Sequence, residues 1–338
     1  MNLSQFQSMA AFARRQSPAF FFRKPRGDRG TRSPQFTENC MRTTKRFSPR
    51  LLDLFRERGR GTGTYGSYIP WHRVSRSDPA SRGRSHLIAW RGRHIELLSD
   101  GEFTAFCFST RLMTPKNDLR EQFPLSQERS PHELTAYDAR FHMRKYPGTL
   151  EIAKNLGIKH PLVHGGGLTA SWVMTTDLLL MLQTDDGTCT LLAIAVKDRS
   201  LLSERATALL TIEAGYWQSR GVPWLLITPR LYHPQVVETL FRTWQWAVQM
   251  PVSESYLQAA ETAIHLWQGH SLTYLLQKLS QEFDSHSQAQ HAIWQAIWSG
   301  RTPVDLRRGW RPHVPLQLLP QAQFDYFNPI LMRRSAWT

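Results

Sequence analysis

The sequence predicts an α/β fold, a small mixed sheet flanked by helices and followed by a mainly helical region. Three observations carry that expectation. Two apolar runs, from Val173 to Leu182 and from Cys189 to Lys197, face each other across an Asp186-Gly187 turn, which is a strong hairpin signal. Both runs are too apolar for either face to be solvated, so the hairpin is expected to be covered on both sides. A helix-period run from about Leu201 to Ser219 then passes through Gly221-Val222-Pro223-Trp224 into a strand at Leu225-Leu226-Ile227-Thr228. Hairpin, helix and strand in that order describe a mixed sheet with helices on its faces.

The 338 residues leave room for two domains, and 41% apolar content with 12 Trp and 17 Phe indicates packed cores rather than disorder. The net charge of +15 is unevenly placed. Residues 1–93 hold 20 Lys or Arg against 5 acids, whereas the remainder holds 22 against 22. An Arg-rich segment of that kind suits a polyanion through phosphate contacts and counterion release. No stretch approaches the ~18 apolar residues of a membrane span, and the apolar run Ala19-Phe20-Phe21-Phe22 is too short for a signal peptide. Cys40, Cys107 and Cys189 are widely spaced, which excludes a disulfide framework and a zinc site. The 13 His lack ligand spacing, and Gly165-Gly166-Gly167 precedes no Lys-Thr helix start, so it reads as a turn.

In chain order, residues 1–62 read as a flexible basic arm, with one short helix around Leu51 to Arg56 and an end at Gly59-Arg60-Gly61-Thr62-Gly63. Residues 63–231 form the α/β domain. Within it, Ser99 and Glu102 make a capping box that opens a short buried helix through Phe103-Thr104-Ala105-Phe106-Cys107-Phe108. A strand is expected near Asp118 to Leu125, and the more charged stretch from Ser126 to Gly148 resembles an insertion. Residues 232–338 turn helical, with starts at Pro251 and Ser271, a third helix from Ser287 to Trp298, and a strand-like end after Gly300. That pattern suggests a winged-helix-like domain. It lacks a basic excess, so docking to protein is the better reading of it than binding DNA.

The chemistry sits in the hairpin. Asp177 lies ten residues before Gly187 and Lys197 ten after it, so antiparallel pairing brings them to one end of the sheet, within a one-residue slip. An aspartate oxygen for a hard cation and an ammonium beside a phosphate are what metal-assisted phosphodiester cleavage requires. A solvated pair of strand caps is the plainer alternative. Arg82, Arg84 and His86, around a glycine just before the Glu102 helix, are candidates for DNA-backbone contacts. Glu213 reads either as a group supporting the site or as a surface glutamate.

Longer strings add a resemblance. Tyr68-Ile69-Pro70-Trp71, Leu98-Ser99-Asp100-Gly101-Glu102, Arg120-Glu121-Gln122-Phe123-Pro124-Leu125, Gly157-Ile158-Lys159-His160-Pro161, Val173-Met174-Thr175-Thr176-Asp177 and Ile212-Glu213-Ala214-Gly215-Tyr216-Trp217 occur in that order. The series resembles the TnsA family, the endonuclease subunit of heteromeric cut-and-paste transposases, well over about residues 65–230 and loosely beyond. The resemblance implies a restriction-endonuclease-like core with Glu102, Asp177 and Lys197 as catalytic residues. It implies Glu102 and Asp177 as ligands of Mg²⁺, with Mn²⁺ able to substitute. It further implies cleavage at the 5′ ends of the transposon, on the strand not transferred. The expected partners are double-stranded transposon-end DNA, a TnsB-type transposase and a TnsC-type AAA+ regulator, with no membrane, in the bacterial cytoplasm. One departure stands out. Many nucleases of this type carry an acidic or amide residue two positions before the lysine, and here that residue is Ala195, which leaves one or two metals open. The rival readings are a stand-alone restriction or repair nuclease of the same fold and a DNA-binding scaffold whose nuclease has decayed.

Overall fold

The computed structural model describes residues 46–338 except 82, 200, 201, 309, 310 and 338. The first described element is α1 (Pro49–Glu57), opened by Ser48, whose hydroxyl accepts from the Leu51 amide at 3.3 Å. Its apolar stripe is buried: Leu52 and Phe55 pack with Trp71, Val163 and Val173. Arg60 lies over the Phe55 ring and pairs with the buried Asp78 at 2.8 Å. The reading of residues 1–62 as a flexible arm therefore fails over 46–62. The Leu52 and Phe55 spacing gives that stretch a core-facing stripe that the count of arginines obscures. The rest of the expected arm lies outside the described residues.

A hairpin of β1 (His86–Trp90) and β2 (Arg93–Leu97) turns on Arg91 and Gly92, both at positive φ, and leads into α2 (Asp100–Ser109). Next comes β3 (Asp118–Pro124). The stretch read as an insertion holds short turns and the pair β4 (Ser130–Pro131) and β5 (Lys145–Tyr146). It is anchored to the domain by Arg220, whose guanidinium meets the Glu133 carboxylate at 2.9 Å. After α3 (Thr149–Asn155), β6 (Leu162–Gly165) and β7 (Leu168–Ser171) form the small hairpin against α1. Gly166 and Gly167 sit at its tip, the expected turn.

The central sheet contains β8 (Thr175–Gln183), β9 (Cys189–Val196) and β10 (Trp224–Ile227) in the order β10-β9-β8-β3. β3, β8 and β9 are antiparallel; β10 joins parallel to β9 by way of α4 (Glu204–Ser219). One face, with Leu178, Leu180, Leu192 and Ile194, packs against Phe103 and Phe106 of α2. The other, with Leu179, Met181, Leu191 and Ala193, packs against Ile212, Tyr216 and Trp217 of α4. Each fully buried leucine of this kind contributes about 2 kcal/mol, so continuous apolar strands are what a doubly covered sheet selects.

The remaining chain folds into α5 (Pro234–Val248), α6 (Glu254–Leu266), α7 (Leu272–Phe283), α8 (His286–Trp298) and the short α9 (Gln321–Tyr326). Where a strand-like end was expected, the described residues form two single bridges, Ser271 with Pro315 and Val304 with Leu318. One apolar core runs from the α2 face of the sheet into these helices. The indole of Trp298 donates to Thr110 Oγ1 at 2.7 Å, and Asn328 Nδ2 donates to the Phe108 carbonyl at 2.9 Å. The helical region therefore covers the sheet and shares its core. Among the described residues no helix is long and apolar enough to cross a membrane.

Candidate active site

The β8–β9 turn spans Thr184 to Thr188, and Gln183 pairs with Cys189. The hairpin is thus centred on Asp186, one residue earlier than the Asp-Gly dipeptide suggests. Continuing the observed register by one step places Asp177 opposite Ala195 rather than Lys197. A displacement of two residues preserves the side-chain face, and the long lysine side chain closes the remaining distance. Lys197 Nζ stands 3.8 Å from Asp177 Oδ2, and the Val196 amide donates to that same oxygen at 2.6 Å. The lysine also donates to the Val196 carbonyl at 2.8 Å, while its own amide bonds the Ile227 carbonyl and so continues the β10 pairing.

Glu102 arrives from the first turn of α2. Ser99 Oγ accepts from the Glu102 amide at 3.1 Å, so half of the expected capping box is present. The glutamate carboxylate completes it differently: Oε2 accepts from the Leu98 amide at 2.8 Å and from Gln122 Nε2 at 2.9 Å. Burial, and then the neighbouring Asp177, push its carboxyl up to about 8. Lys197 shows the opposite balance. Burial acts to lower its ammonium, but Asp177, Glu213, Glu102 and Asp198 together outweigh it and raise the pKa.

Glu213 was the undecided residue, and its environment excludes a surface role. It is buried on α4, and its Oε1 accepts from Thr176 Oγ1 at 2.9 Å and from the Trp224 indole at 3.1 Å. Burial, followed by Asp177, lifts it to about 7. Thr176 in turn accepts from the Trp217 indole at 2.7 Å. By strict alternation Thr176 belongs to the face of Leu178, yet it meets α4 on the other side. The β3–β8 register skips the Gln122–Asp177 pair, and Gln122 has a φ of +49°. The pairing is interrupted at this one position without a change of register, and there Gln122 turns toward Glu102 and Thr176 toward Glu213. Sequence reasoning missed Gln122 as a site residue; nothing in a period-two reading of β3 marks a left-handed glutamine.

The DNA-contact candidates stand beside this centre. Arg84 and His86 converge on Asp100 at the start of α2, at 3.0 and 2.7 Å, and Arg82 lies outside the described residues. Arg84, Asp100, Asp198 and Tyr232 line an open cleft of about 720 Å³. Gly101 lies at its edge, close against the Asp198 carboxylate.

Among the described residues no three His, Cys, Asp or Glu side chains converge as a metal cage. Ala195 is wholly buried under Leu210, Leu226 and Trp337, so the position where related nucleases place a ligand is apolar here. The paired carboxylates nonetheless fit a divalent cation. Glu102 is pushed toward its neutral form by burial beside Asp177, and a hard cation would relieve that repulsion.

Two comparisons bear on this geometry. A family model described as TnsA-like endonuclease N terminal matches residues 118–229, the stretch holding Gln122, Asp177, Lys197 and Glu213. Over 214 residues the chain is 34% identical to the transposon Tn7 transposition protein TnsA of Escherichia coli, covering 62% of this chain and 67% of that one. By this identity and coverage, the chain belongs to the TnsA family of transposition endonucleases.

Proposed function

We propose that this endonuclease subunit is metal-dependent and hydrolyses the phosphodiester at the 5′ ends of a transposon, on the strand that is not transferred. The observation that carries the reading is the buried Glu102 carboxyl, lifted to about 8 by burial and by Asp177, with the Lys197 ammonium beside the same pair. Glu102 and Asp177 would hold Mg²⁺, or Mn²⁺ in its place. When bound, the cation polarises the phosphate and makes water a stronger nucleophile.

The chain's own residues divide the remaining work. Val196 N–H fixes one Asp177 oxygen and so orients the carboxylate that would hold the cation. Gln122 and Leu98 N–H orient Glu102 from the side away from solvent. Lys197, kept protonated by the carboxylates around it, cannot serve as a base near neutral pH. It positions water and offsets charge developing on the phosphate. Arg84 and His86 contact the DNA backbone next to the cleft, with Asp100 holding both in place, and Arg82 is a further backbone contact by its place in the sequence.

The helical residues 232–338 dock the partner proteins, a TnsB-type transposase and a TnsC-type AAA+ regulator, and the protein acts in the bacterial cytoplasm. These helices share their core with the sheet, so docking is tested on the full chain. Leu266→Asp, at a leucine 69% exposed, should lower partner capture without unfolding the protein; unchanged capture argues against this face.

The decisive assay uses transposon-end DNA with separately labelled strands, the partner transposase and regulator, and Mg²⁺. Asp177→Ala and Glu102→Gln are expected to keep the 3′ cuts and lose the 5′ cuts by at least about 100-fold. Lys197→Ala should lose them too while still binding Mn²⁺. Persistent 5′ cleavage in Asp177→Ala would place the nuclease centre elsewhere.

A further inference from the structure

The outer edge of β10 is closed by a segment far away in sequence. The Ala336 amide donates to the Leu226 carbonyl at 2.8 Å, and Ser335 Oγ accepts from the Leu226 amide at 3.0 Å. The backbone groups of Leu226 that point away from β9 are thus both satisfied, as an edge strand requires. Trp337 packs edge-on against Trp224, with ring centroids 5.4 Å apart and planes at 85°. Together with Ala336 it also covers the cluster of Ala195, Leu210 and Leu226. Ala195 lies on β9 one register step beyond the Leu178–Ile194 pair, opposite Asp177 when that register is continued.

The contacts continue inward. The Trp224 indole that meets Trp337 donates to Glu213, and the same Glu213 oxygen takes the hydroxyl of Thr176, the residue before Asp177. Trp224 is half-buried, and Trp337 is what rests on its ring. Without that ring, the indole gains rotational freedom and Glu213 loses a fixed donor.

We propose that Ser335–Trp337 is a positioning segment of the nuclease: it closes the β10 edge and, through Trp224, holds Glu213 in register with Asp177 and Lys197. The proposal rests on the active site assigned above. Trp337 touches neither DNA nor the reacting atoms, so it is a positioning residue. The arrangement also links the helical region, from which this segment emerges, to the catalytic rim.

The test compares Trp337→Ala, Trp337→Phe, Ala336→Pro and Ser335→Ala in the full chain, assayed by single-turnover 5′ cleavage across DNA concentrations with both partners present. Trp337→Ala is expected to lower the maximal rate constant about tenfold, the loss expected from one hydrogen bond to a charged group. The DNA concentration for half-maximal rate should stay within about twofold. Trp337→Phe restores an aromatic edge and should restore the rate. Ala336→Pro removes the amide donor and should match Trp337→Ala. Ser335→Ala, the mildest change, should lower the rate about threefold and guards against a variant that does not fold. A readout independent of activity is the Trp224 indole N–H resonance, which should lose its hydrogen-bonded shift in Trp337→Ala. Lowered thermal stability with an unchanged rate constant well below Tm would overturn the proposal and leave a purely structural patch. Asp177→Ala separates the two levels: if it too retains 5′ cleavage, the active-site assignment falls; if it abolishes cleavage while Trp337→Ala leaves the rate constant unchanged, only the positioning role falls.

Discussion

Gln122 donates its Nε2 to Glu102 Oε2 at 2.9 Å from a backbone held at a φ of +49°. The strained conformation turns the amide toward the buried carboxylate, and the hydrogen bond favours the ionised form of Glu102.

Gln122→Ala should therefore raise the Glu102 pKa further and weaken cleavage most at low pH. A loss of about tenfold is expected at pH 7, shrinking as the pH approaches 9. Gln122→Gly removes the same donor but suits the left-handed backbone. It should match Gln122→Ala in activity and exceed it in Tm. Equal pH profiles for wild type and both variants would show that the amide does not tune Glu102.

Glu102 and Glu213 also make fold stability depend on pH. Both carboxyls are raised, from an ordinary value of 4.5 to about 8 and about 7. A raised carboxyl stabilises the fold below its unfolded pKa, and that contribution is lost as the pH rises through its folded pKa. Without a divalent cation, stability should decline from about pH 4.5 to 8, by an amount on the order of a few kcal/mol. Thermal melts across this range should show the decline, Glu102→Gln should flatten it, and Mn²⁺ should oppose it at the alkaline end. Cation affinity should itself tighten with rising pH up to about 8, since binding displaces the Glu102 proton. A pH-independent Mn²⁺ affinity would separate Glu102 from the metal.

The basic N-terminal stretch gives a prediction about salt. Residues 46–62 are folded into the domain, so the informative deletion removes 1–45, which carry many of the arginines. Loss of these residues should weaken duplex binding and flatten the slope of log affinity against log salt, with the melting curve unchanged. An unchanged slope would show that this stretch does not meet phosphate.

Much of the architecture was legible because its determinants are local. The apolar runs around Asp186-Gly187 specify a doubly covered hairpin, and Ser99 before the Phe103 to Phe108 run specifies a short buried helix. Spacing also placed Asp177 and Lys197 at one rim, and a register error of two residues did not change their face. The resemblance in the ordered strings named Glu102, and the comparisons place the chain in that family. What the tertiary structure decided depends on contacts between distant segments. The left-handed backbone that aims Gln122, the burial of Glu213 against Thr176, and the cover that Trp337 places over Ala195 leave no periodic signature. The same holds for the helix at Pro49–Glu57, whose stripe acquires meaning only against Trp71 and Val173. Hydrophobic period and turn chemistry act between near neighbours in sequence, whereas the pKa of a buried carboxylate depends on every group that the fold packs around it.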